Sequence, residues 1–252
     1  MSFERPFGPG AEAPPVPPSG RSASDEADAI TPAMRLQILS TEHWSLLASR
    51  SLAWNESFAR AGMFLSALAG AIVALALVAQ ADDFGEGFRI FALVILPVVL
   101  FVGVGTLLRM GISNYHDAMC VVGMNRIRAA YVEMAPDLRR YFVMGTTDDD
   151  RGVNLTMAVQ PGTSLAVQMV ASTPLLVTLL NGVLVAVIVA LLVIQLGGAT
   201  WLSVALGIVG FVVMVAGFTW YAGRDIARVI AEYQPLFPGQ PGDESDDASA
   251  AG

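Results

Sequence analysis

From Ala61 to Ala79 the chain reads AGMFLSALAGAIVALALVA, without one Asp, Glu, Lys or Arg. A helix of about 20 such residues, rising 1.5 Å each, crosses a hydrocarbon layer of roughly 30 Å. The pattern recurs three times: Ile90–Leu108 (IFALVILPVVLFVGVGTLL), Pro174–Leu196 (PLLVTLLNGVLVAVIVALLVIQL) and Trp201–Tyr221 (WLSVALGIVGFVVMVAGFTWY). The third stretch carries helix-start chemistry, with Thr173 as the expected N-cap and Pro174 at the first helical position. The fourth begins at Trp201 and ends at Trp220-Tyr221, a spacing of about 30 Å that suits an aromatic belt at each interface. These four windows predict an all-α membrane protein. Its four transmembrane helices are expected to form two hairpins, with amphipathic cytoplasmic helices beside them.

Composition agrees with an apolar solvent. Of 252 residues, 54% are hydrophobic and 14% charged, against roughly 25% charged in soluble domains. Mean hydropathy is +0.59. All 14 basic residues are arginine, which reads as the codon usage of a GC-rich genome. The single cysteine, Cys120, rules out a disulfide framework within one chain. A cleaved signal peptide is not expected, because about 60 residues precede the first window and signal peptides have short basic leaders.

The arginines set the expected orientation. Arg50 and Arg60 precede the first window, Arg109, Arg126, Arg128, Arg139, Arg140 and Arg151 lie between the second and third, and Arg224 and Arg228 follow the fourth. The other two connections are short: one holds Asp82, Asp83 and Glu86, with Arg89 at its far edge, and the other is Gly197-Gly198-Ala199-Thr200. The positive-inside rule then places both termini and the long central segment in the cytoplasm.

Outside the windows, residues 1–30 and 235–252 are polar, Pro/Gly/Ser-rich or acidic tails expected to be disordered. Residues 31–60 predict an amphipathic helix with Leu36, Leu39, Leu46, Leu47, Trp54 and Phe58 on one stripe. Its polar face is neutral to acidic, unlike the basic face of a membrane-surface helix, which favours packing against another helix. Residues 109–173 predict a helix to Met134 with the stripe Ile112, Tyr115, Met119, Val122 and Ala129, a break near Pro136, and a loop from Gly145 to Thr173. A short helix at 222–234 follows the last span. The spans themselves occupy 61–108 and 174–221. Leu39, Leu46, Trp54, Tyr115 and Met119 are the candidate interaction residues. His43 and Arg50 interrupt the first apolar stripe, so pairing with an acidic residue is expected there.

Chemistry is sparse. Asn181 is the most polar residue deep in a span, with Thr178 one turn before it and Pro97 in the second span. These three are candidates for a pore or for helix packing; Asn-Gly pairs let helices approach and hydrogen-bond, and proline kinks a helix by removing one backbone bond. His116 and Cys120 share a helix face, but zinc needs three or four ligands and His43 is the only other histidine. No metal, cofactor or nucleic acid is expected, and no nucleotide, zinc-protease or serine-hydrolase motif is present. Carboxylates embedded in the spans, the mark of proton- or ion-coupled carriers, are missing.

The stretches LQILSTEHWSLLASRSLAWNESFARAGMFLSALAGAIVALALVAQ and GMNRIRAAYVEMAPDLRRYF resemble uncharacterised multi-span membrane proteins of high-GC, actinobacterial-type bacteria. The resemblance covers about residues 33–230 and implies a bacterial plasma membrane, with no activity attached. In architecture alone the first half is similar to two-span SLATT-type effectors, from which the second hairpin departs. The expected function is a non-enzymatic membrane scaffold or interaction protein, partnered by lipid and by itself as a homo-oligomer or by another membrane protein. The alternative is an oligomeric channel or small-molecule transporter; a membrane enzyme ranks third for want of a catalytic cluster.

Overall fold

The computed structural model describes residues 30–159 and 172–239. The tail residues before 30, the turn at Pro161-Gly162 and the acidic residues Asp243, Glu244, Asp246 and Asp247 lie outside the described residues. Four long helices dominate: α1 (Pro32–Asp82), α2 (Glu86–Met134), α4 (Thr173–Gln195) and α5 (Thr200–Glu232). A 3-10 helix (Pro136–Tyr141) and a short helix α3 (Asp150–Thr156) follow α2. The chain divides into one unit ending at Ser40 and a second beginning at Thr41. The first contributes the opening of α1, capped by Thr31 Oγ1, which accepts from Met34 N at 3.2 Å.

All four long helices contain a window apolar enough to cross a membrane, and only 11–33% of each window is buried within the protein. Side chains such as Val94, Phe101 and Val213 stand outward. An apolar surface of that extent needs an apolar solvent, which fits a multi-pass membrane protein. In α1 and α2 the helix does not stop where the apolar window does. Polar residues continue the same backbone bonding, because propagation adds one hydrogen bond per residue without a new nucleation cost.

The connections show how the chain turns. After α1, Asp83 and Phe84 adopt positive φ (46° and 60°), and Asp82 Oδ2 accepts from Phe88 N at 2.7 Å. After α4, Gly197 takes φ +78°, Gly198 N bonds to Val193 O at 2.8 Å and Gly197 N to Ile194 O at 3.0 Å. That is the Schellman termination, which needs a residue without Cβ at the left-handed position. At the start of α4 the cap is Ser172, whose hydroxyl accepts from Leu175 N at 3.3 Å, so the sequence-expected cap Thr173 is the first helical residue. Both residue types can cap; the backbone enters the helix one position earlier, leaving Pro174 in the first turn.

Close contacts order the packing. Along α1 and α2, Leu46 meets Gly123, Arg50 meets Asp117, Glu56 meets Arg109 and Phe64 meets Gly103. One series rises as the other falls, so the helices run antiparallel. In α4 and α5, Gly182 faces Phe211 and Val215, and Gly210 faces Val185 and Val189, again antiparallel. α4 also packs on α2. The shared core is Phe64, Ala71, Leu96, Val99, Leu107, Val177 and Leu184 with their neighbours.

Candidate functional site

Polar side chains gather where α1 and α2 leave their apolar windows, and they form successive rungs between the two helices. Glu56 accepts from Arg109 at 2.8 Å through both carboxylate oxygens and from Arg60, one turn on, at 3.0 Å. This bidentate pairing holds the Glu56 carboxyl down at about 2. Two turns further from the windows, Asp117 Oδ1 accepts from Arg50 Nε at 2.6 Å and from the Trp54 indole N–H at 3.0 Å. Arg50 on the apolar stripe thus has an acidic partner from α2. A helix register further, Leu46 packs on Gly123. His43 extends the same face of α1, and its buried Nδ1 has no hydrogen-bond partner among the described residues. Burial, reinforced by the charge of Arg128, holds the His43 pKa below its usual value.

These rungs decide which face of α2 lies inside. Ser113, Asp117, Cys120, Val121 and Met124 are buried, whereas Ile112 and Tyr115 are exposed and Met119 is half-buried. On α1, Leu39 and Leu46 are half-buried and Trp54 keeps much of its ring exposed. Of the five residues expected to mediate interaction, Trp54 and Tyr115 are exposed and Leu39, Leu46 and Met119 half-buried. An ionised Asp117 has to meet Arg50, and that requirement rotates the apolar stripe of α2 partly outward. Cys120 is buried with Sγ 3.6 Å from His116 Nε2. Burial, with the charge of Asp117, pushes its thiol pKa up, the opposite of an activated nucleophile.

A second cluster joins α2 to the segment after α5. Asp148 is fully buried. It accepts from Arg126 Nε at 2.8 Å, Leu236 N at 2.9 Å, Phe237 N at 2.8 Å and the Tyr233 hydroxyl at 3.0 Å. Burial opposes ionisation, but the two backbone N–H groups, Arg126 and Tyr233 outweigh it and hold the carboxyl below the usual range. Asp149 caps α3 through Gly152 N at 2.9 Å and takes Gly239 N at 2.9 Å. Asn125, also fully buried, bonds Thr147 O at 2.8 Å and the Thr156 hydroxyl at 2.7 Å. Gly145 and Gly152 cross so closely that a Cβ on either would strike the other strand of the crossing. The expected loop from Gly145 is thus, up to Val159, a helix-containing clasp. A sequence signal existed: Asp149-x-x-Gly152 ahead of Val153-Asn154-Leu155 is a capped helix start. The partner Tyr233, far along the chain, carried no such signal.

Asn181 is fully buried in the core, its Nδ2 donating to Val177 O at 2.8 Å. Its Oδ1 has no partner among the described residues and lies against Gly103 of α2 and beside Phe64 of α1. Thr178 is buried, its hydroxyl returned to Pro174 O at 2.8 Å, and Pro97 faces outward within an unbroken α2. The three are not brought together, and none lines a cleft described below.

Two clefts flank the α1–α2 seam. One, of about 330 Å³, is also walled by the start of α4 and is lined by Trp54, Phe58, Met110, Ser113, Asp117 and Pro174 among others. The other, of about 400 Å³, holds Leu52, Glu56, Arg109, Ile112 and His116. Among the described residues no three metal-ligating side chains converge. No protein-family model, curated protein or solved structure matches the chain.

Proposed function

We propose that this chain is a bacterial plasma-membrane protein that works by binding, its spans anchoring two helical arms whose outer surfaces take a second copy or another membrane protein. In this reading the four apolar helices cross the bilayer as two hairpins. Both termini and the segment from 109 to 173 are cytoplasmic, following the arginines.

One observation carries the reading. Beyond the apolar windows, where water would replace lipid, α1 and α2 still present large apolar side chains outward: Trp44 is 67% exposed, Leu52 69%, Ile112 58% and Tyr115 51%. Leu52 and Ile112 border the same cleft. Aromatic and aliphatic groups of this size, exposed together beside ion pairs, have the composition of an interface centre with a polar rim. The rungs below support the reading by fixing the two arms against each other, so that the surface is presented without an ordering cost at binding.

Crosslinking tests it. Because Cys120 is buried, a Cys120→Ser background carrying Leu52→Cys supplies one accessible thiol. A crosslinked dimer, or a discrete heavier adduct in native membranes, is the expected product, and Ile112→Glu should abolish it. A monomer only, at native expression and with the protein membrane-inserted, refutes the reading. Reporter fusions test the topology: a cytoplasmic reporter at the C-terminus should be active, and insertions at Gly85 and Gly198 should report the outer side.

The second reading is an oligomeric channel or transporter, with Asn181, whose Oδ1 has no partner among the described residues, as the first residue to test. Flux through reconstituted vesicles that is lost in Asn181→Ala would support it. Silence across common ions and small solutes, with oligomer assembly verified, would remove it.

A further inference from the structure

The cleft of about 330 Å³ between α1, α2 and the start of α4 has a depth, a wall and a charge that together select a ligand. Its volume falls at the lower end of the ~300–1,000 Å³ of small-molecule sites. Pro174 and Met110 stand at the ends of their apolar windows, and Phe58 lies three residues before Ala61. Trp54 is seven residues before that window, roughly 10 Å beneath it at 1.5 Å per residue. Asp117 on α2 points back toward the bilayer, since side chains lean to the helix N-terminus, and it meets the Trp54 indole at 3.0 Å. The cleft therefore begins at the hydrocarbon edge and ends just past the headgroup layer, which adds about 5–8 Å on each side.

Its chemistry changes with depth. The upper wall is apolar: Phe58, Met110 and Pro174. The deep end holds the Trp54 ring, Ser113 and Asp117. Asp117 is only 7% exposed. Both of its hydrogen bonds, from Arg50 and Trp54, end on Oδ1, and among the described residues Oδ2 has none. A carboxylate has room for about four donors. Among the described residues, the one charged side chain lining this cleft is Asp117, whose Oδ1 is taken by Arg50. A cation finds a free carboxylate oxygen beside an aromatic ring. We infer that the cleft binds the headgroup of an aminophospholipid, its primary ammonium donating to Asp117 Oδ2 over Trp54 and its glycerol end emerging toward the acyl layer between Phe58 and Met110. The inference rests on the four helices being spans and is independent of which protein the arms bind.

A primary ammonium carries N–H donors that a quaternary one lacks, and a charge-assisted hydrogen bond of that kind is worth on the order of tenfold in occupancy. The full chain would be reconstituted in vesicles of phosphatidylethanolamine and phosphatidylcholine, equimolar, with phosphatidylglycerol as a minor third component. It would then be re-extracted in mild detergent and its retained lipid measured by native mass spectrometry. The expected result is roughly tenfold enrichment of phosphatidylethanolamine over phosphatidylcholine, falling to parity in Asp117→Asn. Should that variant fail to fold, Asn114→Phe fills the cleft from an exposed position and should likewise abolish enrichment. Equal retention of the two lipids by the wild type, preference for phosphatidylglycerol, or undiminished enrichment in Asn114→Phe overturns the inference. Resistance to alkaline carbonate extraction is scored alongside. A protein that resists extraction but shows no lipid preference loses only the cleft, and one released by carbonate loses the spans as well.

Discussion

Replacing Gly103 by alanine places a methyl group at the most crowded point between the spans. The new Cβ would lie 2.6 Å from Phe64 Cε2 and 2.7 Å from Asn181 Nδ2, with Asn181 Oδ1 nearer still. All of these are well inside van der Waals contact, and Phe64 and Asn181 are both fully buried. Overpacking of a tight core costs about 1–3 kcal/mol. For a chain of this size that lowers the unfolding temperature by roughly 2–12 °C. The same geometry predicts a coupling. Asn181→Ala removes an amide whose Oδ1 is unpartnered, a gain of about 1–3 kcal/mol that offsets the packing lost, so its own effect should be small. In that background the Gly103 methyl meets only the Phe64 ring, and its cost should fall by at least about half, an interaction energy on the order of 1 kcal/mol. Thermal unfolding in a single detergent, followed for the wild type, both single variants and the double variant, measures all four corners. Equal cost of Gly103→Ala in both backgrounds would refute the contact. A neutral Gly103→Ala would refute the close approach of α1, α2 and α4 altogether.

Other outcomes follow from the polar rungs and the clasp. Asp148→Ala takes the acceptor from Arg126 Nε and from the Leu236 and Phe237 N–H groups, while the Tyr233 hydroxyl keeps the Asp148 carbonyl; each buried donor left unpaired costs about 1–3 kcal/mol, and hydrogen exchange at Leu236 and Phe237 should accelerate sharply while the long helices stay protected. With acid, the same clasp should hold until the pH falls below 3.8, because a depressed carboxyl contributes fully above its unfolded value and loses that contribution as pH drops through the folded one. His43 acts at milder pH: its folded pKa lies below 6.5, so the unfolded chain binds the proton first and stability should decline as pH falls below about 6.5. His43→Gln should flatten that part of the unfolding-temperature profile between pH 7.5 and 5.5, and an unchanged slope would refute the burial of this ring. Glu56, held at about 2, should still be ionised at pH 3 when followed by carboxyl chemical shift.

Four helices long and apolar enough to cross a membrane were legible in the sequence because solvent preference is a property each segment carries alone. Nineteen or more apolar residues in a row demand lipid whatever they pack against, and no contact information is needed to see it. The partner of Arg50 was half-legible. A cation on an apolar stripe predicts an acid, but several acids were available, and only the antiparallel register of α1 and α2 brings Asp117 rather than another to 2.6 Å. Which face of α2 turns inward was not legible, since the apolar stripe and the charge of Asp117 pulled in different directions and the ion pair won. The acidic run from Asp148 to Asp150 looked like a solvated loop because its meaning lies in Tyr233 and Phe237, some 85 residues and more away. The sequence by itself determined which segments are apolar enough to span a membrane. The tertiary structure decided where its polar groups find partners, because a hydrogen bond is a relation between two positions and a transfer free energy belongs to one.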